Sequence, residues 1–159
     1  GGGESLKNYT ESEITRLQDN LLMIRKAGGW SAEEFGDMIG VTKQTISNLE
    51  NKKSVMSKIQ YIAIRAVLDY EIAERPDDKV LTTAVNLSLN SENLSETDVK
   101  KAQAFIEGAT NAKLDNETLI GGLAAMIGVV AAEALIVPIA SPIFIGAGAW
   151  LAKMIKNKK

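Results

Sequence analysis

Gln44 and Asn48 stand four positions apart, with Lys43 and Thr45 flanking the first of them. On a helix that spacing puts both amides on one face. A side-chain amide offers a donor and an acceptor side by side. These are the groups that meet adenine N6 and N7; an ammonium such as that of Lys43 can donate to guanine O6 or N7, and a threonine methyl can meet that of thymine. The chain has less material for catalysis. It contains no histidine and no cysteine. Disulfides and thiolate metal sites are thereby excluded, and the commonest general base and zinc ligand are missing. Walker loops and glycine fingerprints after a strand are absent, and no serine is paired with an activating base. Asp77, Asp78, Asp115 and Glu117 lack calcium-loop spacing and read as helix caps or solvated charges. Carboxylate chemistry alone stays open. The expectation is a non-enzyme with no cofactor and no metal.

Charge and composition narrow the partners. The net charge is −2, so any footprint for a polyanion must be local. Aromatics make up 5% of the chain, too few for base-stacking platforms. Residues 41–65 are the local exception: Lys43, Lys52, Lys53, Lys58 and Arg65 stand against the single anion Glu50. Gly1 to Gly3 read as an appended remnant. The polar start predicts no secretory signal and a cytoplasmic N-terminal part.

The elements that must position these residues read as helices throughout. Thr10 with Glu13 predicts a capping box, and Ile14, Leu17, Leu21 and Ile24 then form one apolar face that runs to Gly28 and Gly29. Ser31 with Glu34 opens a second, short helix that Gly40 ends. Thr42 caps a third through Asn51, with Ile46 and Leu49 facing inward. Residues 54–74 predict a longer helix with a stripe of Ile59, Ile62, Ala63 and Ala66, closed at Pro76. A helix is expected over 79–89, and another over 96–111, capped by Ser95 and burying Val99, Ala102, Phe105 and Ile106.

Residues 31–51 thus form two short helices joined by a tight turn, with Gly36 where they approach and Val41 plugging the turn. One helix is left projecting with an uncovered polar face, a shape that fits the major groove. The run from Gly40 to Glu50, with Gly29-Trp30-Ser31 and Glu33-Glu34-Phe35, resembles the phage Cro/repressor (XRE) helix-turn-helix family. The resemblance implies that Lys43, Gln44, Thr45 and Asn48 read bases. Ser31, Asn51, Lys52, Lys53 and Lys58 would hold phosphates. Three positions depart from the family pattern. Ala32 replaces a phosphate-binding glutamine, which lowers the expected affinity. Gly36 replaces an alanine, and Lys52 replaces a glycine; both lower the expected local stability. At the helix exit Asn51 is expected to take the left-handed conformation instead.

From Thr118 to Ala152 the one charged residue is Glu133. Asp115 or Asn116 predicts a helix to about residue 137, interrupted at Pro138. Ser141 and Pro142 predict a last helix to about residue 156. Gly121, Gly122, Ala125, Gly128, Ala132, Gly146 and Gly148 suit close helix packing. Lys153, Lys156, Lys158 and Lys159 follow the run. Two readings stay open: a helical hairpin buried in a dimer or larger oligomer, and attachment to the cytoplasmic face of a membrane. The prolines, Glu133, and a last helix only about 22 Å long argue against a simple span.

The sequence therefore predicts an all-α chain. A lambda-repressor-like helix-turn-helix domain of four to five helices over 10–75 is followed by a helical linker region over 76–116. An apolar Gly/Ala-rich hairpin occupies 117–159. The expected function is sequence-specific transcriptional regulation on double-stranded DNA, as a repressor and a homodimer or higher homo-oligomer joined through 117–157. The alternative is a membrane-associated or protein-binding adaptor that uses the hairpin.

Overall fold

Why the first helix is longer than its caps suggest sets the frame of the fold. The structure, a computed structural model, describes residues 2–138. All its elements there are helices: α1 Gly2–Asp19, α2 Leu21–Gly28, α3 Ala32–Ile39, α4 Lys43–Glu50, α5 Lys58–Glu74, α6 Lys79–Leu89, α7 Glu96–Ala112, α8 Asn116–Ile127 and α9 Val129–Leu135. Because α1 begins at Gly2, Thr10 lies inside the helix and not at its start, where a capping box would place it. A mid-helix position has no free amides to cap. Glu13 is instead buried.

The apolar face of Leu17, Leu21 and Ile24 is buried as the spacing predicts. It belongs to two helices, however. Asn20 breaks the run by turning its side-chain amide back onto the Arg16 carbonyl at 2.8 Å, one of the local bonds through which asparagine competes with a helix. α2 ends at Gly28, with Gly29 in the left-handed cap. α5 starts at Lys58 behind a capping box of Ser57 and Gln60. Its buried face is Tyr61, Ile64, Arg65, Ala66, Val67 and Leu68, while Ile59 is 80% exposed. The predicted stripe through Ile59 is thus rotated, because a tyrosine and an arginine face inward.

α6 is the axis of the molecule. Every residue from Leu81 to Leu89 is buried, the mark of a helix covered on all sides. It packs against α1, α2, α5, α7, α8 and α9. Its polar side chains are satisfied from within: Thr83 donates to the Lys79 carbonyl at 2.5 Å and Ser88 to the Ala84 carbonyl at 2.8 Å. Asn86 reaches further and donates to the carbonyls of Leu135 and Val137, at 2.8 and 2.7 Å. Leu81, Leu87 and Leu89 share one continuous core with Leu17, Phe35 and Ile46 on one side and Leu119, Leu123 and Leu135 on the other. In α7 the fully buried residues are Ala102, Ile106 and Ala109, and Val99 and Phe105 are only half-buried.

Asp115 caps α8 and accepts from the Thr118 amide at 2.8 Å. The single helix expected to residue 137 is divided at Gly128, which sits at φ +97° and ψ 154°. That region is open essentially to glycine alone. No helix among the described residues is long and apolar enough to cross a membrane. The expected last helix over 142–156, the second arm of the hairpin, and the lysines after it lie outside the described residues.

Candidate nucleic-acid interface

Ser31 and Glu34 close a full capping box at the start of α3. Glu34 N donates to Ser31 Oγ at 3.0 Å, and Ser31 N donates to Glu34 Oε1 at 2.9 Å. The backbone bond from Ser31, and then its hydroxyl, hold the Glu34 carboxyl below its ordinary range. The α3 amide end therefore already carries an anion. Gly40 turns the chain at φ +90°, and the amides of Gly40 and Val41 both return to the Gly36 carbonyl, at 2.8 and 2.9 Å. A Cβ on Gly36 would come within 2.6 Å of the Val41 carbonyl oxygen. The glycine that replaces the family's alanine is therefore required by a turn folded this closely. It is not a local weakness, contrary to the expectation from the family pattern.

Thr42 caps α4 by accepting from Thr45 N at 3.1 Å. Ile46 and Leu49 are fully buried and fix the helix to the core. Glu50, at the helix end, takes a two-pronged contact from Arg25, Nε to Oε2 at 2.5 Å and Nη2 to Oε1 at 3.1 Å. Arg25 also donates to the Trp30 carbonyl at 2.9 Å. Gln18 secures the exit. Its amide nitrogen donates to the carbonyls of Leu49 and Ser54 at 3.0 and 2.7 Å, and its oxygen accepts from Met56 N at 2.9 Å. Buried and satisfied in this way, one glutamine holds both ends of the loop after α4.

That loop turns one residue later than expected. Asn51 stays near the helical region at φ −90°, since its amide still bonds the Ser47 carbonyl at 2.9 Å. The left-handed residue is Lys52, at φ +58°, where the family has glycine. A lysine there is strained by about 1 kcal/mol. Its ammonium pairs with Asp19 at 2.7 Å, and Lys53 N returns to the Asn48 carbonyl at 2.8 Å.

The uncovered face of α4 carries Lys43 and Gln44 exposed and Thr45 and Asn48 half-buried. Gln44 Nε2 donates to Asn48 Oδ1 at 3.0 Å, so the two amides lie together. Asn51, Lys53 and Lys58 are exposed beyond the helix end, and Lys52 is exposed but held by Asp19. Arg65 does not belong to this basic surface. It is buried, with Nη1 3.5 Å from Glu13 Oε2 and Nη2 3.9 Å from Asp69 Oδ1. The Tyr61 hydroxyl also donates to Glu13. The charge count of residues 41–65 therefore overstates the surface by Arg65. Gln18, Arg25 and the Glu13 cluster were missed by sequence reasoning. The available signal was Gln18 beside Leu17 and three residues before Leu21, inside an otherwise apolar face.

Residues 21–75 match a protein-family model described as Helix-turn-helix. The match opens on the first residue of α2 and closes on the residue that caps α5. The N-terminal part of the chain thus carries a helix-turn-helix of the Cro/repressor type, in which α3 and α4 are the paired helices. Searches of curated proteins and of solved structures found no match for the chain.

Proposed function

We propose that the chain is a sequence-specific DNA-binding transcriptional regulator in which α4 is the recognition helix. One observation carries this reading: α4 is pinned by Ile46 and Leu49 and tied at its end by Arg25 and Gln18, yet its outer face is left uncovered. Lys43, Gln44, Thr45 and Asn48 would read base edges in the major groove. Lys53 and Lys58, with Asn51, Lys52 and the Ser31 end of α3, would meet phosphates. The chain acts as a repressor by occlusion, and as a homodimer joined through the region after residue 117, since single heads of this kind bury little DNA surface.

The test is a binding-site selection on the purified protein, followed by Gln44→Ala. The variant should lose about 1–3 kcal/mol at the selected site and little on random DNA, at one stated salt concentration. Equal losses on both DNAs would remove Gln44 from base reading. A second reading, an adaptor acting through protein or membrane contact, is favoured by the exposed Val129 and Val130 on α9. A purified chain that needs detergent and shows no salt-sensitive DNA binding would replace the first reading with the second.

A further inference from the structure

A trough of about 410 Å³ lies between the end of α4 and the flank of α7, lined along its length by α2. α7 runs beside α1 and α2 in the same direction. Arg16 meets Glu92 ahead of α7, and further along Gln103 donates to Asn20 at 2.9 Å. Asp19, Leu22, Met23 and Lys26 recur at spacings of three and four across the joint of α1 and α2, and present one stripe to the trough. The middle of that stripe is apolar: Met23 is buried, and Leu22 is 43% exposed. Carboxylates stand on both sides of it, Asp19 and Glu50 from the head and Glu107 from α7. Glu50 is held by Arg25 and Asp19 by Lys52. Glu107 is exposed, and its side chain has no ion pair among the described residues.

These carboxylates are spread along the trough. Among the described residues no three of them gather closely enough to hold a metal ion. An apolar strip between separated carboxylates is instead the complement of a linear chain with a cation at each end. Glu107 lies one turn of α7, about 6 Å along its axis, past the contact of Gln103 with Asn20, the neighbour of Asp19. A short methylene chain bridges such a gap, and the volume suits a small molecule. We propose that the trough binds a small aliphatic diamine, with one ammonium on Glu107, the other on Asp19 and the methylenes over Leu22. Asp19 can take this ammonium beside Lys52, because a carboxylate accepts from several donors. Lys26, the one cation that lines the trough, stands two turns along from Asp19 and opposes the ligand. The inference does not rest on DNA binding, and its test contains no DNA.

Calorimetric titration of the full-length chain with diaminobutane should show saturable binding at a single site. Butylamine keeps one ammonium and should bind about tenfold more weakly; Glu107→Gln should weaken diaminobutane by about the same factor, the loss of one charge-assisted hydrogen bond. Lys26→Gln should tighten it. Both positions are exposed, so neither substitution reaches the core. No saturable binding of diaminobutane would overturn the inference. So would equal affinity for the two amines, or Glu107→Gln binding as the unaltered chain does. A blocked lysine peptide that binds where diaminobutane does not would assign the trough to a protein partner, and would overturn the diamine site as well.

Discussion

Lys52 and Lys53 are neighbours with different freedom. Lys52 is held by Asp19 at 2.7 Å, whereas Lys53 is exposed and has no ion pair among the described residues. On the proposed interface Lys53→Ala should flatten the slope of log affinity against log salt by about 0.9, the signature of one lost phosphate contact. Asp19→Asn should act in the opposite sense: it releases Lys52, raises affinity on any DNA and steepens the slope by a similar amount. Salt titrations of both variants check this, and two unchanged slopes would take the lysines off the phosphates. Asp69 offers a test away from DNA. Burial pushes its carboxyl up to about 6, partly opposed by Arg65. An acid raised above its unfolded value of 3.8 weakens the fold as pH rises through that interval. The penalty is absent below about pH 4 and complete above about pH 6. Asp69→Asn should therefore stabilise the protein by about 1–3 kcal/mol near pH 7.5 and hardly at all near pH 4. Melting of both proteins across that range is the measurement, and an equal gain at both ends would contradict the assigned burial cost.

Gly128 decides whether α8 and α9 are one helix or two. A Cβ there meets nothing within 4 Å, so backbone strain is the whole cost of adding one. Gly128→Ala should destabilise the chain by about 1–3 kcal/mol. Denaturant unfolding reads this directly; a neutral variant would mean that the break is not imposed by the backbone. The break also shows where sequence reading stops. The short helices of the head were legible because their caps are chemical: Ser31 with Glu34 and Thr42 each satisfy amides at a defined position. The same holds for Ser95 and Asp115. Gly128 and Asn20 sit inside unbroken apolar patterns, and nothing in the pattern separates a tolerated residue from a breaking one. The phase of α5 was hidden because Arg65 faces inward to Glu13, a pairing that needs two distant helices to be seen together. Of the candidate interface, the exposed residues of α4 could be read from the spacing of Ile46 and Leu49. The commitment of Lys52 to Asp19 could not, since it depends on where α1 ends.

At the scale of the whole molecule the informative helix is the one whose sequence looks least like a core. Thr82, Thr83, Asn86 and Ser88 give α6 a polar appearance, yet it is buried along most of its length and touches helices of the head and of the C-terminal region alike. The head is therefore not hung on a flexible leash. In the proposed dimer the distance between the two recognition helices is set by a stiff strut, as the jaws of a caliper are set by its frame. Tethered heads would lose affinity only gradually as their half-sites are moved apart. Braced heads should instead demand one spacing, and inserting about 5 bp, half a helical turn, should abolish the gain from the second half-site. Affinity across a graded spacer series is the measurement. A shallow dependence would mean that the strut yields, and a single sharp optimum would show the protein measuring DNA as well as reading it.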